Sequence, residues 1–179
     1  MQSGRENIAL IGFMGSGKSS IGRMLARKLG WDFADTDHLI VQRDGREISE
    51  IFATNGEAFF REQEHAAIES LRDSGRHIIA TGGGIVTQPE NVTLLREMSF
   101  VVWLTATEEV IFERVSRNTN RPLLQTPNPR ETIAALHALR LPLYESAAHF
   151  AIDTSTRSHA EIADEIIAAA QRHYGVADM

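Results

Sequence analysis

The chain has no cysteine. That excludes a disulfide framework, a thiol nucleophile and a zinc site built on sulfur. Its seven histidines never fall three or four residues apart, so no helix carries a paired imidazole clamp for a metal. Positive charge is also short: 18 Lys and Arg against 24 Asp and Glu give a formal net charge of −6. Broad nucleic-acid binding needs a basic footprint, which such a balance does not supply. No apolar run approaches bilayer-spanning length, and Met1 to Asn7 hold no apolar core of a signal peptide. No heptad seam or sticky edge is visible. The expectation is a cytoplasmic monomer with neither nucleic acid nor membrane as partner.

What is present is ordinary in bulk and specific in one place. A length of 179 residues with 42% hydrophobic and 23% charged residues suits one soluble domain, residues 1–179, with a real core. The specific place is Gly12-Phe13-Met14-Gly15-Ser16-Gly17-Lys18-Ser19. Glycine, four residues and Gly-Lys-Ser make the pattern of a phosphate-binding P-loop. Ile8–Ile11 before it is a short apolar run fit for a buried parallel strand. Ile21, Met24, Leu25 and Leu29 after it have helical spacing. Glycines at 12, 15 and 17 permit the positive φ angles that wrap backbone around an anion. Loop N–H groups and the following helix N-terminus then face phosphate oxygens. Gly15, Ser16, Gly17, Lys18, Ser19 and Ser20 are the candidate nucleotide contacts. Lys18 is a point charge for the β- and γ-phosphates, and the Ser19 hydroxyl a Mg²⁺ ligand.

The rest of the chain alternates strands and helices. Gly30 stops the first helix, and a second strand, Trp31–Ala34, puts two aromatics in the core and ends in Asp35-Thr36-Asp37. Carboxylates at a strand's C-terminal end sit where open α/β sheets bind ligands. Asp37 suits a helix N-cap equally well. Two short helices broken at Asp44-Gly45 come next, then a turn at Asn55-Gly56 and a longer helix from Glu57 to Leu71. In that helix Arg61 and Glu64 lie one turn apart, as a ligand-holding pair or as a surface ion pair.

The third strand, His77–Thr81, runs into Gly82-Gly83-Gly84, which is either a flexible loop or a backbone surface open to a ligand. A P-loop enzyme often ends such a strand in a Mg²⁺-holding Asp. With glycines there, Asp35 becomes the candidate. Pro89–Met98 reads as a helix, Phe100–Leu104 as a buried strand, and Thr107 as the cap of a helix over 108–115. Residues 114–130 then hold four arginines, three prolines and no acid inside an acidic chain. This reads as a lid, or else as a solvated basic loop. A helix from Glu131 to Tyr144 bearing Arg140 and interrupted near Pro142, a fifth strand at Phe150–Asp153 and a helix over 160–172 complete the chain. Tyr174–Met179 is expected to fray. The alternation gives a single doubly wound α/β domain with a parallel sheet.

A P-loop alone serves kinases, GTPase switches, motors and transporters. No Asn-Lys-x-Asp tetrapeptide is present to read guanine, and the chain is short for a transporter subunit. Insertions at 38–74 and in the Arg-rich stretch suit a small kinase with an acceptor region and a lid that shields the γ-phosphate from water.

At this resolution the sequence resembles the shikimate kinases, within the nucleoside-monophosphate-kinase-like P-loop enzymes. The matching pieces are residues 12–19, Asp35-Thr36-Asp37, Phe60-Arg61-x-x-Glu64, Gly82-Gly83-Gly84, Arg121-Pro122-Leu123-Leu124 and Arg140-x-Pro142-Leu143-Tyr144. The resemblance implies a three-layer P-loop kinase fold, a central five-stranded parallel sheet flanked by helices. It adds an acceptor-binding helical region at about 35–74 and a lid at about 114–130. The implied reaction moves the ATP γ-phosphoryl group to the 3-hydroxyl of shikimate.

Residue by residue, Arg61 and Arg140 would take the shikimate carboxylate, while Asp37 and the backbone of Gly82, Gly83 and Gly84 would take ring hydroxyls. Glu64 would orient Arg61. Asp35 and Ser19 would hold Mg²⁺, Arg121 would swing onto the transferring group, Arg117 would stack on adenine, and the loop at 154–158 would close the adenine pocket. Lys18, Asp37 and Arg121 form the expected catalytic set, with ATP as co-substrate. The alternatives are another small-molecule kinase, such as a gluconate kinase, and a catalytically silent nucleotide-binding protein.

Overall fold

In the computed structural model, residues 6–117 and 126–179 are described. Five strands form one sheet: β1 (Ile8–Ile11), β2 (Asp32–Asp35), β3 (His77–Ala80), β4 (Phe100–Thr105) and β5 (Phe150–Asp153). Their order is β2-β3-β1-β4-β5 and every pairing is parallel. The helices are α1 (Lys18–Leu29), α2 (Thr36–Asp44), α3 (Ile48–Glu69), α4 (Pro89–Met98), α5 (Glu108–Ser116), α6 (Pro129–Ala147) and α7 (His159–Tyr174).

The central strand shows why three layers form. Successive side chains point to opposite faces, and in β1 all four residues are fully buried. Ile8 and Leu10 join a cluster with Ile21 and Leu25 of α1 and Ile162 and Ile166 of α7. Ala9 and Ile11 join the opposite one, with Leu94 and Leu95 of α4, Ile111 of α5, and Ile133 and Tyr144 of α6. Each such Ile or Leu contributes about 1.5–3 kcal/mol by leaving water. A smaller third cluster, Ile40, Ile51, Phe60 and Ala67, holds α2 against α3 beside the sheet.

Helix starts follow the expected chemistry. The Thr107 hydroxyl accepts from Val110 N at α5. Ser158 and Glu161 form a reciprocal capping box at α7. The α3 region corrects the expected turn: helix resumes directly after Asn55-Gly56, with Gly56 at φ 80° as a kink rather than a loop. That helix ends at Glu69, short of the expected Leu71. Helix α6 runs through Pro142 to Ala147.

The C-terminal segment also departs from expectation. Tyr174 does not fray, because its hydroxyl donates to Asn7 O at 2.6 Å and accepts from Phe100 N at 2.9 Å. This phenol ties the last helix to the starts of β1 and β4. Among the described residues, no helix is long and apolar enough to cross a membrane.

Candidate active site

All five strands point the same way, so their C-terminal ends share one edge, where loops can surround a ligand. From β1 the chain enters the P-loop with Gly12, Gly15 and Gly17 at φ 145°, 81° and 97°. These angles belong to the region that glycine tolerates. Gly17 is the N-cap of α1, so the N–H groups of its first turn face the loop. Lys18 Nζ donates to Gly12 O at 2.7 Å and Phe13 O at 3.0 Å, which fixes the ammonium over the cradle. Ser16 is buried within it, while Ser19 and Ser20 are exposed at the start of α1.

Asp35, rather than Asp37, is the cap of α2. One of its oxygens accepts from Asp37 N at 3.1 Å and from His38 N at 3.4 Å. The other accepts from Ser19 Oγ at 2.9 Å. The two residues read as metal ligands therefore touch, although 16 positions separate them in sequence.

The acceptor residues converge on the loop after β3. A Cβ placed on Gly82 would lie 2.7 Å from Glu64 Oε1 and 2.9 Å from Asp37 Oδ1. One on Gly84 would lie 2.5 Å from the Arg61 guanidinium. One on Gly83 would lie 3.7 Å from Arg140 and 3.4 Å from Met14 N of the P-loop. The glycines form a floor on which four charged side chains rest, and phosphate loop and acceptor groups meet across it.

Glu64, fully buried, accepts from Arg61 Nη1 at 2.5 Å. Burial pushes its carboxyl above the usual range, and the Arg61 charge opposes that rise. Glu64 Oε1 and Arg140 Nε are buried without a hydrogen-bond partner. Such groups are costly unless something pairs with them. Arg140 also stands over the Phe13 ring, 5.9 Å from its centre.

Supporting groups escaped the sequence reading. The buried Thr36 hydroxyl accepts from Gly82 N at 3.0 Å. Tyr144 donates to Gly83 O at 2.5 Å, and burial pushes its pKa up to about 12, so the phenol stays a donor. Its signal was present in the sequence: Tyr144 is four residues beyond Arg140, hence on the same helix face.

Arg114 lies within the stretch read as a lid, yet it is a clamp. Its guanidinium donates to Gly15 O at 3.1 Å and to Thr154 O at 2.7 Å. Thr154 Oγ1 in turn lies 3.1 Å from Ser16 O. The P-loop is thereby fastened to the loop after β5. Arg117 is exposed at the end of α5 and pairs with Glu113. Arg121 and residues 118–125 of the expected lid lie outside the described residues.

Comparison with known proteins gives one consistent family. A family model described as shikimate kinase matches residues 14–171. The shikimate kinase of Thermodesulfovibrio yellowstonii is 49% identical over 90% of this chain and 93% of its own. A structure of shikimate kinase from Acinetobacter baumannii, in complex with shikimate, superposes with a TM-score of 0.88 at 38% identity, covering 93% of each chain. A gluconokinase from Sinorhizobium meliloti, at TM-score 0.61 and 23% identity over 94% of this chain and 93% of its own, shares the fold alone.

Proposed function

The chain belongs to the shikimate kinase family, and we propose from that premise that the charged ring on Gly82–Gly84 is its acceptor pocket. The protein is an ATP-dependent kinase that transfers the γ-phosphoryl group to the 3-hydroxyl of shikimate. One observation supports the pocket above the others: Asp37, Arg61, Glu64 and Arg140 contact one glycine floor that also abuts the P-loop. An acceptor held there faces the end of a bound triphosphate.

In this reading Arg61 and Arg140 take the shikimate carboxylate, whose shape fits the guanidinium fork. Arg140 Nε, buried without a partner, is a donor for it. Asp37 and the Gly82–Gly84 backbone orient ring hydroxyls, and Glu64 holds Arg61 in place. Asp37 accepts from the reacting hydroxyl. Because phosphoryl transfer has a loose transition state, its orienting role outweighs that of a base. Gly15, Ser16, Gly17, Lys18, Ser19 and Ser20 cradle the phosphates, with Lys18 and Arg121 neutralising developing charge. Arg117 is proposed to contact adenine.

Ser19 and Asp35 are hard oxygen ligands in mutual contact, a donor set that fits Mg²⁺, and they would hold it. That ion would supply charge neutralisation on the phosphate oxygens. We further propose a single kinase domain acting as a cytoplasmic monomer on small molecules, with no nucleic-acid or membrane partner.

The test is ADP release in the presence of Mg²⁺, with and without shikimate. Turnover that requires shikimate and is lost in Asp37→Asn supports the pocket. ATP hydrolysis indifferent to shikimate would overturn it.

A further inference from the structure

The Arg61 guanidinium already carries a second carboxylate. Glu57 Oε1 accepts from Arg61 Nη2 at 2.9 Å and from Nε at 3.3 Å. One oxygen therefore covers the Nε/Nη2 edge, the side-on fork with which Arg grips carboxylates. Glu64 takes Nη1 on the other side. The two acids differ in freedom. The Glu64 side chain is 0% exposed and that of Glu57 is 68% exposed, while Arg61 between them is 12% exposed.

Glu57 also follows Gly56, the kink at φ 80° where the second half of α3 begins. A carboxylate in the first turn of that half keeps the favourable field of the helix N-terminus wherever it points. The Glu57 end of this i,i+4 pair lies in solvent, which weakens it. Release from Arg61 therefore costs Glu57 little.

We propose that Glu57 is a removable stand-in for the substrate carboxylate: it occupies the outward edge of Arg61 until shikimate displaces it. It acts as a specificity-setting residue, because an acceptor lacking an anionic group has nothing with which to displace it. Glu64 is the permanent partner and keeps Arg61 aimed while Glu57 exchanges. The inference rests on Arg61 being a shikimate ligand.

The experiment is steady-state kinetics and calorimetric shikimate binding, without nucleotide, on Glu57→Gln, with Glu62→Gln and Arg61→Ala beside it. Glu62 is an exposed acid on the same helix. Glu57→Gln is expected to lower the KM and Kd for shikimate about two- to five-fold, with kcat and the KM for ATP unchanged. Unchanged or weaker shikimate binding would overturn the proposal, since Glu57 would then be helping to orient Arg61. An equal gain from Glu62→Gln would also overturn it, by reducing the effect to net charge. If Arg61→Ala leaves shikimate binding intact, the failure lies in the Arg61 assignment itself.

Discussion

The phosphate cradle and the acceptor floor both use glycine next to charge, but they are built in opposite ways. The cradle is one contiguous stretch, residues 12–19, whose positive φ angles aim backbone N–H groups inward. The acceptor floor also exposes backbone, but Gly82, Gly83 and Gly84 serve there by lacking side chains, not by unusual φ. What they make room for arrives from α2, α3 and α6. The cradle stands on the main core, whereas Asp37 and Arg61 are carried by α2 and α3 with their own small cluster. A cradle depends on local sequence, and a floor depends on the packing of distant helices.

The sharpest way to break the two apart is at their charges. Lys18→Ala is expected to lower kcat by about 10²- to 10³-fold, the scale of losing one preorganised charge at a transition state. Shikimate binding measured without nucleotide should stay within two-fold. Comparable loss in both would mean that cradle and floor are a single unit. Arg140→Ala should do the converse, weakening shikimate about 30-fold as one partner of a buried charge pair is lost. The KM for ATP should hardly move. Kinetics and calorimetry together separate the two outcomes.

Gly84→Ala tests the floor through space instead of charge. The added methyl meets the Arg61 guanidinium at 2.5 to 2.9 Å, closer than such atoms approach. Arg61 is pinned by Glu64, itself buried, and has little room to yield. The expected result is about a ten-fold rise in the KM for shikimate, from a displacement of about 1 Å, with a normal melting temperature.

The same contrast governs what the sequence revealed. The P-loop was legible because its chemistry is a spacing, Gly-x-x-x-x-Gly-Lys-Ser, and β1 and α1 announced themselves by period. The five strands and their parallel direction followed from alternation; the order β2-β3-β1-β4-β5 came from the structure. Asp37 had an equally good local reading as a cap, and Arg61 with Glu64 a better one as a surface pair. What raised them was several short pieces standing in one family's order. The structure then brought them to one floor. Thr36 and Tyr144 stood inside the matching pieces, but their roles went unread because each is a single hydrogen bond to a backbone group 46 or 61 positions away. Arg114 was misplaced in the lid for a related reason. Composition marks a basic stretch, but no local pattern says that one arginine of it reaches carbonyls at 15 and 154.

That arginine supplies the next test, which sharpens the comparison on the nucleotide side. Arg114→Ala removes the bridge from Gly15 O to Thr154. The expectation is a several-fold rise in the KM for ATP, with shikimate binding in the absence of nucleotide unaltered. Weakened shikimate binding would show that the clamp serves the floor as well.

The smallest effect is expected far from both regions, at the opposite end of the sheet. His149 Nδ1 accepts from Val101 N at 2.9 Å, so it must be unprotonated there. Burial is the main cause that lowers its pKa to about 4, with Arg96 of α4 and His173 of α7 adding repulsion. An unfolded histidine titrates near 6.5. Between these values the unfolded chain binds the extra proton, so this contribution to stability is complete above about 6.5 and declines as pH falls toward 4. His149 is partly exposed and solvent screens the effect. The loss should amount to about 1 kcal/mol, a fall of a few degrees in melting temperature between pH 7 and 5. His149→Asn keeps an acceptor for Val101 without a titrating ring and should flatten that slope. If its melting curve tracks the parent at every pH, the sensitivity lies in His137 and His173, whose pKa values burial also lowers; the buried Glu64 cannot cause it, because a carboxyl whose pKa burial raises gains stability as pH falls.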